Sequence, residues 1–329
     1  FRKWPKETRF NSPSFTGNIF KMPDLNAVSP DNSPEIDLLT EHPLGIEFAL
    51  YLAKVSKHFQ LNIETEVEVI NIEDKGGSFI LNTSNGTFGS MFVIWAAGEY
   101  QYPRTDSFEG DHLCTHYSKV KSFSSVLGKE SVVIGAYESG FDAAVNLVKL
   151  GKKVTLIDDF QYLEWIQSDS SYSLSPFTRD RIKEVTDDID YHMETRVEKV
   201  TFVNAKYEVT TDDGRTFISD DEPINCTGFD TSLTLVTDLF EFEKGYPVLN
   251  SVDESRKTEN LFLVGPQVKH GTALFCFIYK YRQRFAIVAE EIAKRIDIPP
   301  AVMTEVLHEY KNNNFYLTDL SCCDDECVC

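Results

Sequence analysis

The sequence predicts an α/β fold made of two related halves, each containing a β-meander, with the first half shortened at its N-terminus. Three observations carry this expectation. One segment recurs with its first strand and its closing glycine both offset by 130, a strand–glycine turn–helix–strand unit stands ahead of the second copy, and no such unit stands ahead of the first.

The repeat is read by aligning IETEVEVI at 63–70 with METRVEKV at 193–200. Thr65, Val67 and Glu68 then meet Thr195, Val197 and Glu198 at a constant offset of 130. NTSNGTF at 82–88 is echoed by TTDDGRTF at 210–217, and each reads as two strands joined by a tight Asn-Gly or Asp-Gly turn. Each copy runs into a short strand closed by glycine, FVIWAAGEY at Gly98 and EPINCTGFD at Gly228, again 130 apart.

In chain order, residues 1–34 are rich in Pro, Ser and Asn and read as loop. The expectation is a chain whose first dinucleotide unit has been cut away, in agreement with Phe1 in place of methionine. Ahead of the second copy, 131–134 reads as a strand, a turn opens at Gly135, and 138–150 has the apolar spacing of a helix. A second strand over 154–157 ends at Asp158 and Asp159, with Asp158 standing 23 positions after Gly135. That spacing suits a dinucleotide site, with pyrophosphate at the helix N-terminus and the acid on a ribose hydroxyl. Gly135, Tyr137, Glu138, Ser139 and Gly140 are its candidate binding residues. Tyr137 stands where a second glycine is usual, and Gly140 supplies the third, for close helix–sheet packing. The bland alternative is a purely structural βα turn. A long helix is expected from about Thr272. The fold class is therefore two dinucleotide-binding, Rossmann-like domains, the first truncated. The expected boundaries are 1–105 and 231–315 for the first domain, 106–230 for the second, and 316–329 for an acidic, cysteine-rich tail.

The totals exclude several classes. A formal charge of −20, with no basic stripe to offset it, repels phosphate backbones and anionic lipid. No run approaches 18 apolar residues; the nearest, ALFCFIYKYRQRFAIVAEEIA, is broken by Lys280, Arg282 and Arg284 and reads as a packed helix. Nucleic acid and membrane are thus not expected. The partners left are a small-molecule substrate and, as an assembly, a second copy in a homodimer. Cys114, Cys226 and Cys276 are scattered through apolar or strand-like contexts, as reduced thiols in a cytoplasm would be, with Cys276 expected inside an apolar helix.

Six segments carry a resemblance. They are FRKWPKETRF, EHPLGIEFALYLAKVSKHF, WAAGEYQYPR, VVIGAYESGFDAA, INCTGF and ENLFLVGPQ, spread over nearly the whole chain. Together they resemble flavoproteins of the flavin-containing monooxygenase and thioredoxin-reductase-like group, of the predicted flavoprotein monooxygenase type. The resemblance implies FAD, with NADH or NADPH as hydride donor, and electrons passed on to a disulfide-type or other small acceptor. A flavin hydroperoxide that oxygenates a small nucleophile is the second reading, and a non-enzymatic redox or metal-binding module the third. Three departures stand out. The linker position of a C-x-x-C dithiol holds Cys114-Thr115-His116-Tyr117, with one cysteine. Phe108 and Gly110 match an F-x-G-x-x-x-H signature, but Cys114 occupies the histidine position. Gly265 is followed by Pro266 and Gln267 where Gly-Asp is usual, leaving Gln267 or backbone to meet the flavin's ribityl chain.

The resemblance sets Gly98, Gly228 and Gly265 at strand ends facing cofactors, where glycine permits close backbone approach. It sets His270 and Thr272 at a helix tip near the flavin, although both also read as capping and turn residues. Asp158 and Asp159 favour NADH, since paired carboxylates accept from a 2′-hydroxyl and repel a 2′-phosphate. No Arg or Lys follows them before Arg179 and Arg181. His42, before Pro43, reads as a loop histidine. Cys322, Cys323, Cys327 and Cys329 in SCCDDECVC fit three readings: a frayed end, a redox arm using Cys322 and Cys323, or a thiolate set for a soft metal ion.

Overall fold

A computed structural model describes residues 1–15, 24–167 and 169–321. The chain divides into two compact units. One gathers Phe1–Ser12, His42–Leu52 and Tyr100–Asp230; the other gathers Pro13–Glu41, Ala53–Glu99 and the chain from Thr231 on.

Two helices come first, α1 (Pro34–Leu38) and α2 (Gly45–His58). The first meander follows as β1 (Val69–Asp74), β2 (Phe79–Thr83) and β3 (Gly86–Ser90), an antiparallel sheet in that order, and then β4 (Val93–Trp95). The second copy repeats this plan with β9 (Val197–Val203), β10 (Lys206–Thr211) and β11 (Thr216–Ser219), followed by β12 (Ile224–Asn225). Both glycine turns expected from the sequence join the strands they were assigned to. In each copy the short last strand enters a parallel pairing, and the glycine after it has left-handed φ, 66° at Gly98 and 101° at Gly228.

Between the copies run β5 (Thr115–His116), β6 (Glu130–Ile134), α3 (Glu138–Lys149), β7 (Lys153–Ile157), α4 (Pro176–Lys183) and β8 (Ile189–His192). These build a parallel sheet in the order β5-β12-β6-β7-β8. Val132, Val133 and Ile134 are all buried, which is why β6 reads as a continuous apolar run rather than an alternating one. From α3, Phe141, Ala143, Ala144 and Leu147 pack onto this layer. Each large apolar side chain so buried contributes roughly 1.5–3 kcal/mol. Ser175 caps α4 through Thr178 N, and Pro176 occupies the first turn, where its missing N–H costs nothing.

In the other unit, β13 (Phe242–Glu243) pairs with β14 (Tyr246–Pro247), and β15 (Leu261–Leu263) lies parallel to β4. The chain then forms a hairpin, β16 (Lys269–His270) and β17 (Ala273–Leu274), before α5 (Ile278–Arg295) and α6 (Pro300–Asn312). This corrects the expected helix start at Thr272. Gly271, at φ 54°, and Thr272 form the hairpin turn, and the helix opens at Ile278 with Phe277 as N-cap. Cys276 consequently lies ahead of the helix, half-buried, and not within it. Phe79, Trp95, Leu261, Leu263, Val268 and Phe275 form the core of this unit.

Candidate nucleotide-binding site

The glycine turn joins β6 to α3 at the C-terminal edge of the parallel sheet. Gly135 has φ 97°, and a Cβ there would stand 2.6 Å from Cys226 O. At Gly140 a Cβ would stand 1.8 Å from Gly135 O, so only glycine lets the helix close on the turn. Tyr137 differs. Its backbone is extended, φ −109° and ψ −157°, so no glycine is demanded. Its ring packs on Tyr162 at 4.8 Å, and its hydroxyl donates to the carbonyls of Ser171 and Ser173.

Asp158 closes β7 and turns back over the loop. One carboxylate oxygen accepts from Ala136 N and the other from Phe160 N at 2.7 Å, while its carbonyl accepts from Thr195 N. Burial pushes the Asp158 carboxyl up to about 6; the two amide donors oppose that rise, and neighbouring Asp159 adds to it. A cleft of about 540 Å³ runs along this edge, lined by Gly135, Tyr137, Asp158 and Asp159 together with Arg104 and Arg196. Gly228 and Thr227, following β12, complete its wall.

Glu138 and Ser139 occupy the first turn of α3 beside Gly140, off the lining of that cleft. The Glu138 carboxylate accepts from Ser175 N and Thr178 Oγ1, both at 2.6 Å, and so ties α3 to the cap of α4. Burial raises its pKa, and these donors pull the other way. Arg179 donates to the carbonyls of Leu163, Trp165 and Leu174, and Arg181 pairs with buried Asp142 at 2.6 Å. Both cations are committed to holding structure. Arg104 and Arg196 are the cleft cations that sequence reasoning missed, because Arg104 ends WAAGEYQYPR and Arg196 lies in METRVEKV, both far along the chain from the glycine turn.

In the other unit, Gly98 and Gly265 follow β4 and β15, whose pairing sets Trp95 opposite Leu263. Both have left-handed φ, and a Cβ on either would meet nothing within 4 Å. Gln267 donates to Thr231 Oγ1 and accepts from Ser232, whose hydroxyl also receives Trp95 Nε1 at 3.0 Å. His270 Nε2 lies 2.6 Å from Asp253 Oδ1, and the same carboxylate is gripped by buried Arg284 at 2.8 and 2.9 Å. Thr272 is exposed in the hairpin turn. Cys322, Cys323, Cys327 and Cys329 lie outside the described residues, among which no group of three metal-ligating side chains occurs. Burial, then Asp111 and Glu222, pushes the Cys114 thiol up to about 12, well away from the thiolate that redox exchange needs.

Residues 1–265 match the family described as pyridine nucleotide-disulphide oxidoreductase. The chain belongs to that family. It is accordingly an oxidoreductase of the kind that binds a flavin and a nicotinamide nucleotide. Among relatives of this pyridine nucleotide-disulphide oxidoreductase, the bacilliredoxin reductase Bdr of Bacillus subtilis is 26% identical over 231 residues, 67% of each chain. Among solved structures, the bacillithiol disulfide reductase Bdr (YpdA) from Staphylococcus aureus superimposes with a TM-score of 0.70 at 19% identity, covering 89% of this chain and 86% of that one. A flavin-containing monooxygenase from Stenotrophomonas maltophilia gives 0.67 at 16% identity, covering 89% and 87%. At those identities the structural likeness establishes the two-domain dinucleotide-binding fold. The residues present fit both groups. The Gly135–Gly140 cradle opens on a cleft with an acid at its second strand, and two positive-φ glycines with empty space beside them follow paired parallel strands.

Proposed function

We propose that the protein is a nicotinamide-driven flavin reductase whose acceptor is a small disulfide. The observation that carries this is the glycine turn with Asp158 over a cleft of about 540 Å³, in a family defined by a pyridine nucleotide and a disulfide. When both cofactors are bound, the chemistry supplied is hydride transfer from nicotinamide to flavin, and the electron pair with two protons then splits a disulfide into two thiols.

The chain's own residues bind and orient. The N-terminus of α3, reached past Gly135 and Gly140, offers amide donors to a diphosphate. Asp158 offers carboxylate oxygens to ribose hydroxyls, and Asp159 adds charge that disfavours a 2′-phosphate, which supports NADH over NADPH. Gly98, Gly265, Gln267 and His270 are the residues assigned to the flavin. The likeness to Bdr names bacillithiol disulfide as the first acceptor to test.

Flavin-loaded protein is expected to oxidise NADH faster than NADPH, and to do so with bacillithiol disulfide present. Turnover that requires oxygen instead, with a flavin–oxygen adduct in stopped-flow spectra, would replace this reading with the monooxygenase one. Replacing Cys322 and Cys323 by Ser tests the redox-arm reading of the tail. Loss of disulfide turnover with intact flavin reduction supports it; unchanged turnover removes it.

A further inference from the structure

The inference rests on the cleft being the site of a nicotinamide dinucleotide, and it concerns how the coenzyme's diphosphate is held. Two features reduce what the glycine turn itself can give. The Ala136 N–H is already donated to Asp158. Tyr137 also places a side chain where a second glycine would leave the backbone bare.

Arg104 faces the same cleft from its β12 side. Its backbone is fixed there, because Arg104 N donates to Gly228 O at 3.2 Å and Pro103 bridges Phe229. Its guanidinium is held by long contacts only. The nearest partners, Asp230 Oδ1, Thr227 O and Phe229 O, stand at 3.4, 3.5 and 3.5 Å, the outer limit of hydrogen bonding, and the side chain is 48% exposed. Arginines with structural duties in this molecule are gripped closely, Arg284 by Asp253 at 2.8 Å and Arg181 by Asp142 at 2.6 Å. An anchored backbone beneath a loosely held cation, in a cleft that takes a dianion, is the arrangement of a ligand-binding arginine. The geometry points to Arg104 as the residue that holds the coenzyme's diphosphate on the β12 side of the cleft, exchanging its long contacts for phosphate oxygens.

The test is calorimetric titration of flavin-loaded protein with ADP-ribose, which carries the diphosphate but no reactive ring, and with adenosine, which carries neither. Arg104→Ala is expected to weaken ADP-ribose about 10- to 100-fold, the span of one charge-assisted hydrogen-bonding group, and to leave adenosine unchanged. Arg104→Ala should also flatten the salt dependence of ADP-ribose binding, and Arg104→Lys should recover part of both losses. Equal ADP-ribose affinity in wild type and Arg104→Ala overturns the assignment while the coenzyme site stands. Parallel loss of adenosine also overturns it, since the residue would then be shaping the cleft. If wild type binds neither ADP-ribose nor NADH, the coenzyme reading itself fails.

Discussion

Asp158 spans the glycine turn and the cleft, and its proton therefore couples the two. Its carboxyl lies at about 6 in the folded chain against an ordinary 3.8, mainly through burial. The folded state thus binds the proton more tightly than the unfolded one. The contribution of this group favours folding at low pH and is lost as the pH rises from 3.8 to about 6. Binding runs the other way. A ribose hydroxyl needs a carboxylate acceptor, so NADH affinity should fall as the solution is acidified through about 6. Asp158→Asn should bind NADH more weakly at neutral pH and show a flat profile; a wild-type Kd independent of pH between 5 and 7 would sink the assignment. Gly140 is the steric counterpart. Gly140→Ala drives a methyl to 1.8 Å from Gly135 O, a backbone atom that cannot move without moving the turn. Overpacking of this kind costs roughly 1–3 kcal/mol or more, so the melting temperature should drop by several degrees and NADH binding should go with it. A variant that melts like wild type would contradict the close approach. Both residues were legible from spacing alone. Arg104 and Arg196 were not, because they line the cleft only where the chain returns to the sheet edge, and nothing within WAAGEYQYPR or METRVEKV marks that return.

Helix α5 shows where element-level reading stops. The run from Thr272 onward is apolar and unbroken by proline, so its periodicity extends a helix to the glycine. The chain instead spends Lys269–Leu274 on a hairpin, since Gly271 accepts the left-handed turn and Asp253 holds His270 from outside the segment. That contact comes from a loop 17 residues away and leaves no local trace. The same loop also carries a buried ion pair. Asp253 and Arg284 are both fully buried, and Arg284 also donates to the carbonyls of Ser251 and Leu317. Asp253→Ala leaves a buried guanidinium without its counter-charge, which costs about 3–5 kcal/mol, whereas a charge pair at the surface is worth at most about 1. Asp37→Ala, which breaks the exposed pair with Lys54, is the control. Denaturant melts should show a large loss for the first variant and none for the second. Equal effects would mean that Asp253 is satisfied in some other way.

For the whole molecule, the duplication was legible because turn chemistry is local. An Asn-Gly or Asp-Gly between alternating strands survives as a signal even where almost every other residue has changed. The charge distribution was legible only as a total. The chain carries −20, yet the cleft balances Asp158 and Asp159 against Arg104 and Arg196. A dianionic coenzyme therefore meets long-range repulsion and finds local attraction only on arrival. Salt screens the first over a Debye length of about 8 Å at physiological strength and reaches a partly enclosed cleft less effectively. The association rate of NADH should accordingly rise with ionic strength at low salt, and that of the more negative NADPH should rise more steeply. Rapid mixing under limiting coenzyme measures both. Association that slows with added salt would mean that the two cleft arginines set the field felt at a distance, and that the remaining negative charge does not reach the approach path.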